Sequence, residues 1–183
     1  MNRIHFIGIG GIGVSALARY YLEKGYEVTG SDLISSEITE DLQGKGAEIF
    51  IGEHKEDNIE KGIGLVVYTS ATSEDNPEVK KAKELNIKTQ SYSQALGELT
   101  KDHFTIAVSG THGKSSTSSM VGLLLIKAGF DPTIIIGTKL KELDNSNCRV
   151  GESNYLVIEA DEWSASFLNY HPNIIVLTNI EEE

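Results

Sequence analysis

The chain contains, at residues 109–117, the stretch SGTHGKSST. An apolar run at residues 104–108 precedes it, and residues 120–128 follow it with the composition of a helix. A strand that leads through a Gly-Lys-Ser turn into a helix is typical of a phosphate-binding P-loop, because N–H groups at a helix start point at an anion. Val108 stands where the general pattern has its first glycine, so this is a shorter form of the loop.

A second glycine loop, GIGGIG, occupies residues 8–13. A helix-like run at 14–24 and a strand-like run at 26–30 follow it, and Asp32 stands about 20 positions beyond the glycines, where ribose recognition requires an acidic residue. Its matches to the dinucleotide fingerprint are Gly8, Gly10 and Gly13. This context favours a nucleotide or phosphate site over a purely structural turn.

Strand-like and helix-like segments alternate along the chain, which predicts parallel sheets covered by helices. The strand candidates are 3–8, 26–30, 47–51, 64–68, 87–90, 104–108, 133–136, 154–159 and 174–178. The helix candidates are 14–24, 35–44, 77–85, 91–100 and 114–128. The pattern therefore predicts an α/β protein, with a Rossmann-like parallel-sheet domain at 1–102 followed by a P-loop α/β domain at 103–183. The polar residues 139–151 are predicted to form a loop.

Composition narrows the class of protein. The net charge is −11, from 27 acidic and 16 basic residues, which disfavours a nucleic-acid partner. No apolar run reaches the roughly 18 residues that span a bilayer, and no signal peptide is recognisable, so we expect a cytoplasmic protein without a membrane partner. Cys148 is the single cysteine and is expected to be a bystander thiol in a loop.

Five segments in order along the chain resemble the Mur ligase family, the ATP-dependent amide-forming enzymes of peptidoglycan synthesis. These are HFIGIGGIG at 5–13, YTSA at 68–71 with NPE at 76–78, GTHGKSS at 110–116, EADE at 159–162 with SFL at 166–168, and TNIE at 178–181. The resemblance implies that ATP phosphorylates the carboxylate of UDP-N-acetylmuramate and that L-alanine attacks the resulting acyl phosphate. It also implies that the first domain binds the UDP-sugar and not NAD.

The resemblance assigns roles to particular residues. It implies ATP binding by Gly110, Thr111, His112, Gly113, Lys114, Ser115 and Ser116. It implies Mg²⁺ ligation by Ser115 and Glu159, with Lys114 and Glu159 as the catalytic residues. The UDP-sugar is expected at Gly8, Gly10, Gly11, Ile12, Gly13, Asp32 and Ser70.

The chain departs from the family in places. Trp163-Ser164-Ala165 stands where a second acidic residue is usual, and Glu183 stands where an Asp is usual. The resemblance covers the N-terminal part of a longer ligase. It implies that residues 103–183 are an incomplete P-loop α/β domain, the N-terminal part of the family's ATP-binding central domain, so we expect this chain to be inactive by itself. No spacing among His5, His54, His103 and His171 suggests a metal site, and each is expected to be an ordinary surface or strand-edge histidine.

Other functions stay open at this point. One is a recycling ligase that attaches murein tripeptide to the same UDP-sugar, and another is a non-catalytic UDP-sugar-binding module. A dinucleotide-dependent oxidoreductase is disfavoured because hydride transfer does not need the second phosphate loop at 110–116.

Overall fold

The computed structural model describes residues 2–161 and 163–181. Its internal contacts divide the chain into two compact units, Met1–Tyr92 and Ser93–Glu183, each with a five-stranded sheet. The boundary predicted after residue 102 lies C-terminal to this division, just past the end of helix α4 (Tyr92–Lys101). The functional roles given to the two domains stay predictions.

The first unit has a sheet in which every neighbouring pair of strands is parallel, in the order β3-β2-β1-β4-β5. Its elements are β1 (Arg3–Ile7), α1 (Ile12–Glu23), β2 (Glu27–Asp32), α2 (Glu37–Gly44), β3 (Glu48–Ile51), β4 (Leu65–Tyr68), α3 (Pro77–Glu84) and β5 (Lys88–Ser91). The predicted Rossmann-like parallel sheet is confirmed. Because β1 is central, the loop that follows it lies between the carboxyl ends of β2 and β4, where α/β proteins bind ligands.

Local sequence explains where the helices of this unit begin. Ser36 caps α2, accepting a hydrogen bond from Thr39 N, and the Asn76 side chain accepts from Glu78 N and Val79 N at the start of α3. Pro77 occupies the first turn of α3, where its missing N–H costs nothing. Capping at Asn76 brings the second helical residue, Glu78, into the protein interior.

The second unit has strand order β10-β6-β9-β7-β8, in which only the β7–β8 pair is antiparallel. Its further elements are β6 (Phe104–Ser109), α5 (Lys114–Lys127), β7 (Thr133–Leu140), β8 (Ser146–Arg149), β9 (Tyr155–Glu159) and β10 (Ile174–Leu177). Strand β6 lies between β9 and β10, so the loop after β6 has Glu159 on one side and the residues after Leu177 on the other.

The prediction of a loop at 139–151 is wrong. Strand β7 continues to Leu140, and β8 pairs with it as a hairpin. The connection between the two strands is a short 3₁₀ helix, Lys141–Leu143, followed by Asp144 and Asn145, which both have positive φ, 55° and 56°. Cys148 is accordingly buried in a strand instead of lying in a loop. Strand β8 was missed because it is short, lies at the edge of the sheet and consists mostly of polar residues. Its burial depends on partners that are distant along the chain.

Some predicted features fall outside the described residues, namely Glu162, Glu183 and the side chains of Trp163 and Ser164. Within the described parts of the chain, no helix has the length and apolar character that a membrane crossing requires.

Candidate functional site

The P-loop segment at 110–116 consists of the connection from β6 to α5, residues 110–113, and the first turn of α5. Gly113 is the N-cap of α5 with φ 80°, and Gly110 has φ 137°, a conformation that side chains rarely adopt. A Cβ at Gly110 would overlap the Thr178 hydroxyl and lie 2.9 Å from the Asn179 carbonyl oxygen. Glycine therefore lets the segment after β10 pack directly against the loop.

Residues after β10 brace this loop. The Asn179 Oδ1 accepts a hydrogen bond from His112 N at 3.0 Å, and Nδ2 donates to His112 O at 3.0 Å. The Thr178 hydroxyl donates to the same carbonyl at 2.6 Å, and Glu181 N donates to the Thr111 hydroxyl at 3.1 Å. Sequence reasoning missed this brace, because the TNIE segment carries no local signal that its partner lies near residue 112.

Lys114, Ser115 and Glu159 come together at the N-terminus of α5. Lys114 Nζ donates to Gly110 O at 2.6 Å, so its ammonium lies over the loop. The Ser115 hydroxyl donates to Glu159 Oε2 at 3.1 Å, which joins the start of α5 to the end of β9. The structure thus brings together the three residues for which catalytic or metal roles are predicted.

Two further residues hold the Glu159 carboxylate and were not singled out from the sequence. Gly137 N donates to Oε1 at 2.9 Å, and the Ser118 hydroxyl donates to the same oxygen at 3.3 Å. A Cβ at Gly137 would lie 3.0 Å from Oε2, so this strand position favours glycine. Ser118 could have been found as the residue one helical turn after Lys114 that faces the same edge of the sheet.

The donor set fits MgATP chemistry. A hydroxyl and a carboxylate oxygen are the hard ligands that Mg²⁺ prefers, and Lys114 and the helix N-terminus supply positive potential for phosphates. In the described residues, no group of three or more His, Cys, Asp or Glu side chains could hold a metal by itself. One hydroxyl and one carboxylate suit Mg²⁺, which in phosphoryl-transfer sites is bound by one or two protein oxygens together with phosphate oxygens and water.

The remaining predicted residues of this loop lie near solvent. Ser116 is exposed in the first turn of α5, and His112 is exposed with Nε2 3.6 Å from Glu181 Oε2. A cavity of about 370 Å³ opens beside the loop, and its lining includes Gly110, Thr111 and Phe167.

The loop at 8–13 is held differently. Ser31 O accepts hydrogen bonds from Gly8 N at 2.8 Å and from Ile9 N at 3.1 Å. The Asp32 carboxylate accepts from Gly10 N at 2.8 Å, and Gly11 N donates to Gly8 O at 3.1 Å. The last two residues of β2, Ser31 and Asp32, therefore hold the first half of the loop, and α1 begins in its second half.

Close packing explains the glycines of this loop. A Cβ at Gly10 would lie 2.8 Å from Asp32 Oδ2, and one at Gly13 would lie 2.9 Å from the Tyr92 ring. Ile12 and Gly13 open α1, so their backbone belongs to a helix N-terminus. Ser70 is exposed in the segment after β4, next to Thr69, whose methyl group approaches Gly8. The substrate-binding roles of these residues stay predictions.

One prediction about the histidines is wrong. His5 is fully buried in central strand β1, with Nδ1 2.8 Å from the Thr29 hydroxyl. The lack of a metal-site spacing led us to expect an ordinary surface or strand-edge histidine, but Glu78 of α3 lies 3.4 Å from its Nε2. His54 also approaches Glu78, with Nδ1 3.4 Å from Oε1.

Comparison with known proteins decides the family. The model of the Mur ligase family, catalytic domain, matches residues 3–104, which is more than half of the chain. The chain belongs to the Mur ligase family.

Relatives and solved structures agree with this assignment. The chain is 49% identical over its full length to UDP-N-acetylmuramate–L-alanine ligase of Clostridium novyi and 48% identical to the ligase of that name from Clostridium kluyveri. It spans only 39% and 40% of the length of these two relatives.

Among solved structures, UDP-N-acetylmuramate-alanine ligase from Thermotoga maritima superposes with a TM-score of 0.90 at 32% identity, covering 99% of this chain and 42% of that one. The UDP-N-acetylmuramate:L-alanyl-gamma-D-glutamyl-meso-diaminopimelate ligase from Neisseria meningitides gives 0.90 at 28% identity, covering 100% of this chain and 62% of that one.

Proposed function

We propose that this chain belongs to an ATP-dependent ligase that joins L-alanine to the carboxylate of UDP-N-acetylmuramate through an acyl phosphate. The observation that carries the proposal is the meeting of Lys114, Ser115 and Glu159 at one helix N-terminus. The relatives that share 49% of the sequence bear the name of this reaction, which supports the choice of substrates.

The chemistry of an amide ligase explains why these residues belong together. A carboxylate must be activated before an amine can displace oxygen from it, and phosphoryl transfer depends on positioning and on neutralising charge. Lys114 would contact the outer phosphates of ATP. Ser115 and Glu159 would hold Mg²⁺, which when bound neutralises phosphate charge. Gly110, Thr111, His112, Gly113 and Ser116 would contribute the backbone and side chains around the phosphates.

The first unit would bind the UDP-sugar. Its support is the loop at 8–13, whose glycines open helix α1 toward an anion. Asp32 ends β2 and Ser70 follows the end of β4, the two strands on either side of β1, where ribose and sugar hydroxyls would find hydrogen-bond partners. Because both ATP and the UDP-sugar would be substrates, we expect a cytoplasmic location, which stays a prediction.

A tripeptide-adding ligase is the second candidate. The Neisseria structure named for that reaction superposes as well as the alanine ligase from Thermotoga, with a TM-score of 0.90 for each. The higher identity to the alanine ligases, 49% against 28%, favours L-alanine. An enzyme of the relatives' full length, assayed with L-alanine and with the tripeptide in separate arms, separates the two.

Calorimetry on the 183-residue chain tests the UDP-sugar site. We expect UDP-N-acetylmuramate to bind and NADH not to bind. Gly10→Leu should weaken the affinity by at least about tenfold, because a bulky side chain would block close approach of the diphosphate to the loop backbone. Gly44→Leu is the matched control, because a Cβ there meets nothing within 4 Å. Equal affinity of the Gly10→Leu variant and the parent chain would contradict the placement of the substrate.

A further inference from the structure

A buried group of polar side chains lies beneath the loop at 8–13. Glu78, from the NPE segment at 76–78, has no exposed area, and neither does His5. Burying a carboxylate is costly unless hydrogen-bond donors or positive charge compensate it. The role of Glu78 is therefore defined by the groups that surround it.

Donors from three parts of the first unit converge on the two Glu78 carboxylate oxygens. The Ser31 hydroxyl of β2 donates to Oε2 at 2.6 Å, and Asn58 Nδ2, from the β3–β4 connection, donates to Oε1 at 2.5 Å. His5 Nε2, on β1, lies 3.4 Å from Oε2, and His54 Nδ1, after β3, lies 3.4 Å from Oε1. An apolar side chain could fill the same volume but could not fix these four partners.

The Glu78 carboxylate is ionised at neutral pH. Burial by itself raises the pKa of Glu78, whereas hydrogen bonds from His5, Ser31 and Asn58 lower it and prevail, giving a pKa of about 2. Its position at the N-terminus of α3 also favours negative charge.

Ser31 connects this carboxylate to the glycine loop. Its hydroxyl bonds to Glu78, and its backbone carbonyl accepts from Gly8 N at 2.8 Å and Ile9 N at 3.1 Å. Two successive hydrogen bonds thus lead from the buried carboxylate to the backbone of the loop.

We propose that Glu78 is a positioning residue that fixes the loop at 8–13 through Ser31 and thereby sets the affinity of the first unit for the diphosphate of its substrate. The effect on affinity rests on the function proposed above, whereas the effect on the loop does not. Glu78 does not itself touch the substrate, since it is fully buried.

The test uses the 183-residue chain with Glu78→Gln, Ser31→Ala and the double variant. Glu84→Gln is the matched control, because Glu84 is an exposed carboxylate on the same helix. The first measurement is amide hydrogen exchange at Gly8 and Ile9 without ligand, with the amides of β5 as internal reference. The second is calorimetric affinity for UDP-N-acetylmuramate.

Each single variant should speed exchange at Gly8 and Ile9 by about tenfold relative to β5 and weaken binding by about tenfold, as expected for losing a hydrogen bond to a charged group. The double variant should be no worse than either single one, because both remove the same contact. Glu84→Gln should match the parent chain. A general loss of stability would instead speed exchange in β5 equally and give additive losses.

Parental exchange at Gly8 and Ile9 in Glu78→Gln, or additive losses in the double variant, would overturn the proposal. If Glu78→Gln does not fold, Ser31→Ala decides by the same two measurements. If the parent chain does not bind UDP-N-acetylmuramate, the proposed function is wrong, and hydrogen exchange still decides whether Glu78 fixes the loop.

Discussion

The loops at 8–13 and 110–116 both follow the first strand of their unit and open a helix, yet their surroundings differ in charge. In the first loop, the Asp32 carboxylate holds the backbone of Gly10. In the second, Lys114 is the first residue of α5, and its ammonium lies over the loop. The glycine pattern is shared, whereas the electrostatic environment is not.

The buried supports of the two loops also differ. The first loop has a buried support, because Ser31, whose carbonyl holds Gly8 and Ile9, also donates its hydroxyl hydrogen to the buried Glu78. The second loop is braced near the surface, by Thr178 and Asn179. Glycines in a strand–loop–helix turn therefore indicate where phosphates can bind, while nearby charged side chains decide whether the site only binds them or can also transfer a phosphoryl group.

The largest expected effect concerns Lys114. In a ligase of the relatives' full length, Lys114→Ala should lower kcat by about 10³-fold or more, because a cation that neutralises the transferred phosphoryl group is lost. UDP-N-acetylmuramate affinity should stay within about twofold of the parent value, since the sugar nucleotide is assigned to the first unit. Steady-state phosphate release and calorimetry measure the two quantities. An equal loss of kcat and of UDP-N-acetylmuramate affinity would show that phosphoryl transfer and UDP-sugar binding are not separated between the two loops.

A second prediction concerns packing of the second loop. Gly110→Ala should destabilise the second unit by about 3 to 4 kcal/mol, from backbone strain and overlap with Thr178 and Asn179. Gly129→Ala is the matched control, because Gly129 has φ 82° but a Cβ there meets nothing within 4 Å. It should cost about 1 kcal/mol, from the positive φ alone. Urea unfolding followed by circular dichroism measures both, and equal costs would contradict the brace.

The smallest expected effect is the loss of folding stability at acid pH when Glu78 becomes protonated. The pKa of Glu78 is about 2 in the folded chain against an ordinary 4.5, so its ionised form stabilises the fold above pH 4.5. This contribution, about 3 kcal/mol, is lost as the pH falls from about 4.5 to about 2. Urea unfolding between pH 2 and 6 should show this loss in the parent chain.

Two variants serve as controls for the acid measurement. As the pH falls from about 4.5 to about 2, the free energy of unfolding should decrease less in Glu78→Gln than in the parent chain, because glutamine cannot ionise. Glu84→Gln should follow the parent chain. Parallel curves for the parent and Glu78→Gln would show that another group is responsible.

Local sequence was sufficient for features that depend on neighbouring residues. The alternation of apolar runs and helix-like runs predicted the parallel sheet of the first unit, and Asn76-Pro77 predicted the start of α3. The stretch at 109–117 predicted a strand, a loop and a helix in that order, which the structure has. Such features follow from backbone preferences and capping within a few residues.

Other features depended on residues that are distant along the chain. The hairpin of β7 and β8 was not predicted, because its connection at 141–145 contains no glycine and is not one of the two-residue turns that a sequence pattern reveals. The burial of His5 was not predicted either, because Glu78 lies 73 positions away. The same holds for the brace between His112 and Asn179, which are 67 positions apart.

By itself, then, the sequence determined most of the strands and helices, though not β8, together with the two glycine loops and, through five ordered segments, the family. The tertiary structure decided which side chains meet. Sheet order alone brings β9 and β10 to either side of β6, and so brings Glu159 to Ser115 and Asn179 to His112. Backbone preference acts over a few residues, whereas burial and hydrogen bonding of a carboxylate such as Glu78 require partners that only the assembled sheet supplies.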